Sequence, residues 1–338
     1  STVSGSYSFL GGGYLNSNSA QYAFLGGGQN CSIAAGAEHS VIVGGNNNDI
    51  TGTGDDCFIG GGNAIQITGN GGQNVAVGGY ANTISATGQY NFIGSGWGND
   101  ITINAYNAVL VGGKDNDNAA SYAFLGGGEL CSIASGADHS VVVGGYNNDI
   151  TGTGDDCVIS GGNGNQIDSN ALSATITGGT GNVASAAYSE ASGYQSSTRA
   201  LQGAVANANG QVAAVGDRQT RSVVMRRQTT TDTFLSLTAD GGADSTSDTF
   251  QQPENSLASL TWTVIGLQST GAKAAQYTVK ALVKRYTSTT TILLNSVTPD
   301  FEDDATWDCQ VIVYSLGATV QAKGASGETV NWCAKLES

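Results

Sequence analysis

The chain is poor in basic residues and in long apolar runs, and each shortage excludes a class of function. Lys114 is the only Lys or Arg before Arg199, so the first 198 residues, with 14 acidic side chains, carry a net charge of −13. An acidic surface repels nucleic acid and anionic membranes. The sequence also shows no apolar run long enough to span a bilayer and no signal-peptide pattern. We therefore expect no nucleic-acid partner and no membrane insertion.

Glycine, in contrast, is abundant and recurs in a regular pattern. Pairs of small residues stand 17 residues apart, with two steps of 15, and their first members are Gly12, Gly27, Gly44, Gly61, Gly78, Ser95, Gly112, Gly127, Gly144, Gly161 and Gly178. A fixed period of this size is typical of one supersecondary unit stacked many times. No helical periodicity accompanies it. We therefore predict a parallel β-solenoid or β-roll of 17-residue rungs over residues 1–198, which we call the stalk.

Each small-residue pair follows a strand that is apolar on both faces. Three residues before the pair stands Phe, Val or Thr, and one residue before it stands Gly, Val, Ser or Thr. Every Phe is combined with Gly, and most Val with Val. These combinations keep the volume nearly constant, as expected of side chains that stack without voids. The residue between them is also apolar and points to the opposite face. One face can fill the solenoid and the other must meet a partner, which predicts a homo-oligomer.

A second strand follows each pair, and it carries a column of asparagines. Isoleucine recurs six residues after the pair's first member. Four residues after it stand Asn16, Asn48, Asn82, Asn99, Asn116, Asn148, Asn165 and Asn182, with Cys31, Ile65 and Cys131 in the other rungs. We predict a buried ladder in which each amide bonds the rungs above and below. Residues 22–62 and 122–162 are identical at 33 of 41 positions, and this duplication favours a structural spacer over a single active centre.

The six cysteines predict mostly free thiols. In the stalk, Cys31 and Cys57 lie two rungs apart, roughly 9–10 Å by strand spacing, which is beyond disulfide reach. The same spacing separates the second stalk pair, Cys131 and Cys157. We interpret all four as buried free thiols. Cys309 and Cys333 lie on two predicted strands nearer the C-terminus, where a bridge is possible.

After the stalk the pattern changes to longer alternating strands. Residues 199–219 are interpreted as a neck or linker, and residues 220–338 as a C-terminal domain, the knob. The alternating segments are RSVVMRR, DTFLSL, LTWTVIGLQS, QYTVKALVKRY, TTILLNSV, WDCQVIVYSL, TVQAKG and TVNWCAKLE. Short strands with polar turns predict an antiparallel β-sandwich of the jelly-roll type.

Three knob segments also carry a resemblance: GDRQTRSVVMRRQTTTDTFLSL, SLTWTVIGLQSTGAKAAQYTVKALVKR and DDATWDCQVIVYSLGATVQAKGASGETVNWCAKLE. They resemble the C-terminal domain of marine bacteriophage fibre proteins, and the stalk is more loosely similar to the head repeats of trimeric autotransporter adhesins. The resemblance implies a homotrimeric tail or head fibre on the virion surface. Its knob would attach to a host surface glycan or protein, and its N-terminus would contact other virion proteins. A polysaccharide-degrading tailspike and a purely structural capsid decoration fibre remain alternatives.

Candidate chemistry in the stalk is sparse. Stacking predicts that His39 lies beside Asp56, and His139 beside Asp156, on adjacent rungs. Such a pair can orient a general base, but the pattern places no nucleophile beside it, so we interpret the pairs as hydrogen bonds at a corner. Depolymerising tailspikes use paired carboxylates in a groove of irregular loops, and no rung here exceeds the period. We therefore predict no catalytic residues and no enzymatic activity.

Two sets of residues are candidate binding sites. Glu38 stacks on Asp55, and Asp138 on Asp155; these carboxylates could hold a hard cation such as Ca²⁺, or they could be solvated corner residues. The second set is an acidic loop of the knob: Asp300, Glu302, Asp303, Asp304 and Trp307. The loop could bind a cation or the host surface, or could be a solvated turn. No cofactor is predicted beyond the possible Ca²⁺.

Overall fold

A computed structural model describes residues 1–102, 104–210, 219–243, 250–252 and 254–338 of the chain. Every regular element in these ranges is a β-strand, and no helix that could cross a membrane occurs among them. The chain divides into two compact units, Ser1–Thr180 and Gly181–Ser338. The first is a parallel β-solenoid and the second is mainly antiparallel, so the predicted fold class is confirmed. The predicted domain boundaries at residues 198 and 219 stay a prediction.

The first unit is built from two-residue strands, two in each rung, numbered β1 to β22 along the chain. Odd strands pair with odd strands and even with even, in parallel and one rung apart. The bounds are β1 Thr2–Val3, β2 Phe9–Leu10, β3 Ser17–Asn18, β4 Phe24–Leu25, β5 Ser32–Ile33, β6 Val41–Ile42, β7 Asp49–Ile50, β8 Phe58–Ile59, β9 Gln66–Ile67, β10 Val75–Ala76, β11 Thr83–Ile84, β12 Phe92–Ile93, β13 Asp100–Ile101, β14 Val109–Leu110, β15 Asp117–Asn118, β16 Phe124–Leu125, β17 Ser132–Ile133, β18 Val141–Val142, β19 Asp149–Ile150, β20 Val158–Ile159, β21 Gln166–Ile167 and β22 Thr175–Ile176. Isolated parallel bridges, from Tyr14↔Gln29 to Asn163↔Thr180, form a third ladder.

The interior of the solenoid is filled by the second residue of each strand from β3 onward. Leu25 and Ile42 of the even strands, and Ile33 of the odd strands, are at most 1% exposed. The first residues of the even strands point outward, and Phe9 is 53% exposed. Because successive strand residues point to opposite faces, the structure assigns the Leu/Ile column to the core and the Phe/Val column to the surface.

The predicted asparagine column is buried, but its bonds go mainly to the backbone. The Asn48 side chain donates to the carbonyl oxygens of Gly44 and Gly62 at 2.8 and 3.1 Å, and its Oδ1 accepts from the N–H of Ile65 at 2.9 Å. Amide-to-amide bonds occur at Asn99, which donates to Asn82 at 3.2 Å and accepts from Asn116 at 3.0 Å. The side chain therefore ties its own glycine corner to the next rung.

Replacing Asn48 with alanine is expected to destabilise the solenoid by about 2 kcal/mol or more. The change leaves the part-buried carbonyl of Gly44 and the buried N–H of Ile65 without their side-chain partner, whereas the Gly62 carbonyl keeps its bond from the Asn46 N–H. Each loss at a buried group costs about 1–3 kcal/mol before relaxation. Asn46→Ala, two residues away on an exposed side chain, is the matched control and is expected to change stability little. Thermal or denaturant unfolding of the two variants gives the comparison, and equal stabilities would contradict the bonding role of the ladder.

The second unit begins with short strands and continues as two antiparallel sheets. Its strands are β23 Val183–Ala184, β24 Glu190–Tyr194, β25 Val205–Asn209, β26 Gln219–Thr229, β27 Leu235–Ser236, β28 Phe250–Gln251, β29 Ser256–Gln268, β30 Ala274–Tyr286, β31 Thr289–Glu302, β32 Asp308–Tyr314, β33 Gly317–Lys323 and β34 Val330–Glu337. One sheet has the order β24-β25-β26-β34-β29-β30-β31, in which only β24 and β25 run parallel. In the other sheet β27, β28 and β32 all pair with β33.

One hydrophobic core joins these two sheets, as expected of a sandwich. Trp262 and Trp332 from the first sheet share it with Val320 and with Trp307, which directly precedes β32. The rings of Trp307 and Trp332 meet edge to face, 5.5 Å apart. Such aromatic contacts add about 0.5–1.5 kcal/mol beyond the area that they bury.

All six cysteines are free, and five of them are buried. The prediction of buried free thiols at Cys31, Cys57, Cys131 and Cys157 is confirmed. Desolvation by burial raises the pKa of the Cys57 and Cys157 thiols, which keeps them protonated and unreactive. Cys309 is buried and Cys333 is exposed, so the bridge that the sequence left open does not form.

Candidate functional site

The main candidate surface is a continuous apolar band along the even strands, which we call the outer stripe. Its members are Phe9, Gly11, Phe24, Gly26, Val41, Val43, Phe58, Gly60, Val75, Val77, Phe92, Gly94, Val109, Val111, Phe124, Gly126, Val141, Val143, Val158 and Ser160. Val43, Val77 and Val143 are about half exposed, at 49%, 47% and 52%. The first residues of successive even strands stack in register. The rings of Phe9 and Phe24, for example, stack with their centroids 5.0 Å apart.

The outer stripe is level because each Phe ring lies over the glycine of its own rung. A Cβ atom built on Gly26 would lie 3.1 Å from Cε1 of Phe24, and the same close approach recurs at Gly11, Gly60, Gly94 and Gly126. The ring therefore occupies the space that a second Val fills in Val–Val rungs. Contact with water alone would not require the outward-facing side chains to reach the same height in every rung.

The duplicated blocks show the same coupling. Phe58 and Gly60 of the first block correspond to Val158 and Ser160 of the second. The large residue has become smaller and the glycine larger in the same rung. Two of the eight differences between the blocks are thus compensating changes in the outer stripe. Compensation of this kind is typical of packed surfaces, where both voids and overpacking are destabilising.

A second column contains the predicted His–Asp pairs. Tyr22, His39 and Asp56 occupy left-handed corners, with φ of 55°, 55° and 59°. The rings of Tyr22 and His39 stack at 5.2 Å, and Nδ1 of His39 lies 3.9 Å from Oδ1 of Asp56. Both of these side chains are more than half exposed. Tyr122 stacks on His139 in the same way, at 5.1 Å. The predicted neighbours His39 and Asp56 are therefore brought together on an open surface, and the pairing of His139 with Asp156 stays a prediction.

The predicted cation residues act as caps between rungs. Oδ1 of Asp55 accepts the backbone N–H of Glu38 at 3.0 Å, and Oδ1 of Asp155 accepts that of Asp138 at 3.1 Å. Each of these aspartates thus satisfies a donor in the rung below. Nowhere in the described ranges do three His, Cys, Asp or Glu side chains converge in a way that could hold a metal ion.

The acidic loop of the second unit is held to β30. Oδ2 of Asp304 lies 2.7 Å from Nζ of Lys273, and Lys273 also pairs with Glu328 at 2.5 Å. The hydrogen bond from Lys273 is the main cause that lowers the pKa of Asp304. Asp303 accepts the backbone N–H of Ala274 at 2.9 Å.

The other members of this predicted site are separated by their burial. Asp300 and Glu302 are exposed, and they accept hydrogen bonds from the hydroxyls of Thr278 and Tyr277 at 2.7 and 3.0 Å. Trp307 is 1% exposed and lies in the core. The acidic side chains are therefore accessible to a ligand, whereas the indole of Trp307 supports the sandwich.

Arg221 is a buried cation in the second unit. Its guanidinium lies 4.3 Å from the ring centroid of Phe250, and two of its nitrogens, Nε and Nη1, have no hydrogen-bond partner among the residues that the structure describes. Desolvation by burial, followed by repulsion from Arg199, lowers its pKa to about 9. The cation–π contact therefore carries much of its stabilisation.

The third ladder of the solenoid carries a cluster that the periodic pattern did not reveal. Tyr80 and Trp97 meet edge to face at 5.6 Å, and Nζ of Lys114 lies 5.9 Å from the Trp97 ring centroid. Lys114 also bonds Glu129 at 2.8 Å. The signal in the sequence was compositional: Trp97 and Lys114 are the only Trp and the only basic residue of the first 198 residues.

Comparison with known proteins finds tailspikes. No known protein family matches the chain, and no curated protein matches it. Among solved structures it is similar to the tailspike protein gp49 of Acinetobacter baumannii bacteriophage Fri1, a capsular polysaccharide depolymerase. The match has 8% identity and a TM-score of 0.23, and it covers 97% of this chain and 80% of that one. The Acinetobacter baumannii phage AM24 tailspike protein matches at 7% identity and a TM-score of 0.24, over 95% of this chain and 68% of that one.

These matches bear on one prediction made from the sequence. Both proteins are phage tailspikes. The first is a depolymerase, and this finding contradicts our prediction that the chain is not an enzyme. That prediction rested on the absence of long irregular loops, and we withdraw it. At 7–8% identity the matches assign no particular activity in its place.

Proposed function

We propose that the chain is a homotrimeric fibre or spike of a bacteriophage particle that attaches to the host cell surface. The observation that carries the proposal is the outer stripe: a long, level and apolar band on an otherwise acidic solenoid. A band of this kind in water marks an interaction surface, and a second and third copy of the chain offer the same band in the same register.

Threefold symmetry suits this band. When three copies meet about an axis along the stalk, each layer contains the same rung three times. Phe–Gly layers and Val–Val layers then have similar volumes, so the interior of the bundle is evenly filled. The knob and its acidic loop would remain available for a host surface glycan or protein, and the N-terminal rungs for other virion proteins.

Light scattering of the purified full chain tests the oligomer. We expect a native mass of about 102 kDa, three times the chain mass of 34.1 kDa. A folded, strictly monomeric chain at high concentration would contradict the trimer and remove the main support of the proposal.

Attachment is tested with the fluorescently labelled full chain on host cells. Saturable binding that unlabelled chain displaces is expected. A reducing-end assay in the same incubation measures whether the surface polysaccharide is also cleaved. A trimer that fails to bind would leave the decoration fibre of the capsid as the better interpretation.

A further inference from the structure

We propose that the stalk carries a binding site for a neutral, hydroxyl-rich polysaccharide, centred on Trp97 and Lys114. The proposal deepens the attachment function and rests on it. The site lies on the third ladder, which is separate from the even strands that carry the outer stripe. It runs over five successive rungs: Tyr80, Trp97, Lys114, Glu129 and Tyr146.

The composition of this ladder changes sharply at the site. Away from it, most members are amides or a hydroxyl: Gln29, Asn46, Asn63, Asn163 and Thr180. Within it stand three aromatic residues, a cation and a carboxylate. Trp97 is 55% exposed, although a ring of this size is usually more buried. Five rungs at the usual strand spacing span roughly 19 Å, which suits an extended ligand.

The duplication provides an internal comparison. Glu129 and Tyr146 of the second block correspond to Gln29 and Asn46 of the first. Only eight positions differ between the blocks, and two of them lie on this ladder, one and two rungs from Lys114. The first block, which has no Trp or Lys next to it on the ladder, keeps the neutral residues. The second block has gained both a partner for Lys114 and a further ring.

The geometry leaves the indole accessible and surrounds it with charged groups. Lys114 contacts Glu129 at 2.8 Å and Asp115 at 3.5 Å. The residue after Trp97 is Gly98, and a Cβ there would lie 2.5 Å from Oδ1 of Asp115. The missing side chain therefore lets the Asp115 carboxylate pack against the backbone of Gly98, directly after Trp97. Donors and acceptors thus stand next to an apolar ring.

This arrangement fits a sugar chain better than other ligands. The C–H face of a pyranose can lie on an exposed indole or phenol ring, while its hydroxyls bond the ammonium and carboxylates. The local charge is −1, from Lys114, Asp115 and Glu129, and the first 198 residues carry −13. This field disfavours anionic polymers. The expected ligand is therefore a neutral polysaccharide.

Fluorescence quenching by acrylamide provides a direct readout, because Trp97 is the exposed indole of the four. Trp262, Trp307 and Trp332 are at most 2% exposed. The purified full chain is titrated with dextran, mannan and a neutral galactan, and with alginate as the acidic comparison. We expect at least one neutral polymer to protect Trp97 from quenching, and alginate to protect it much less.

Exchanges between the two blocks supply matched variants. Glu129→Gln with Tyr146→Asn introduces the residues of the first block and is expected to weaken binding about tenfold, as loss of an interface anchor does. Gln29→Glu with Asn46→Tyr makes the reverse exchange far from Trp97 and should leave binding unchanged. Native mass and melting temperature are recorded for both variants.

Four results would overturn the site. These are no protection by any of the three neutral polymers, equal protection by alginate, wild-type binding by Glu129→Gln with Tyr146→Asn, and a changed native mass in that variant, which would make the cluster a subunit contact. If one of these results is obtained and the chain still attaches saturably to cells, the site is refuted and the proposed function stands.

Discussion

Replacing Val77 and Val111 together with lysine is expected to convert the proposed trimer into single chains. Both side chains lie on the outer stripe and are 47% and 45% exposed in the isolated chain. In a threefold bundle the two changes would place six ammonium groups against an apolar surface, without carboxylate partners. An unpaired buried charge costs several kcal/mol, and six such charges exceed what a band of valines can offset.

Light scattering is the measurement, with circular dichroism to establish that the β-structure is retained. The control variant is Asn46→Lys with Asn63→Lys, which adds the same charge at two exposed positions of the third ladder. It should keep the native mass of the wild type. A trimer that survives Val77→Lys with Val111→Lys would show that the copies do not meet along the outer stripe.

Replacing Gly79 with alanine is expected to destabilise the stalk by about 2–6 kcal/mol, whereas the same change at its neighbour Gly78 should not. Gly79 has φ of 95°, and an added Cβ would lie 2.6 Å from Nδ2 of Asn82 and 2.8 Å from the backbone N of Gly96. Backbone strain of about 1–3 kcal/mol adds to overpacking of about 1–3 kcal/mol.

Gly78→Ala is the matched control in the same corner. An added Cβ there would meet its nearest atom, the carbonyl oxygen of Gly61, only at 4.0 Å. Alanine also restricts the unfolded chain, which can stabilise by about 0.4–1 kcal/mol. The two melting temperatures, measured at equal protein concentration, should therefore move in opposite directions or differ widely. Similar values would refute the claim that close stacking of rungs requires the second glycine.

Much of the fold could be predicted from the sequence because its rungs repeat. The period places both strands of each rung; the structure has β6 at Val41–Ile42 and β7 at Asp49–Ile50, as expected from Gly44. All eight segments predicted in the knob contain a strand of the structure. Alternation of apolar and polar residues is a strong signal in long strands such as β29 and β30.

What could not be predicted depends on geometry within a rung. A two-residue strand that is apolar on both sides does not reveal which side faces inward, since Leu25 and Phe24 are both hydrophobic. Corners at Tyr22 and His39 adopt left-handed φ values without glycine, so the residue types gave no sign of them. The third ladder escaped notice because its bridges involve backbone groups and its side chains vary freely.

The candidate site residues could likewise be predicted only where their positions follow from the period. Adjacent stacking of His39 and Asp56 could be derived from the period, because both stand five residues before a glycine pair. The burial of Trp307 could not, since an aromatic residue beside an acidic turn is equally compatible with surface and core. The contact between Trp97 and Lys114 required the register of the third ladder.

The bonds of Asn48 have a consequence for the length of the solenoid. Its amide makes its full set of hydrogen bonds only when the following rung is present. Each rung therefore presents the donors and acceptors that the next rung needs. Whole rungs can therefore be inserted or removed without altering the chemistry of the rest. The duplication with an offset of 100 residues amounts to six rungs, or roughly 29 Å at the usual strand spacing. The length of the solenoid can therefore change by whole rungs, in fixed increments of one strand spacing.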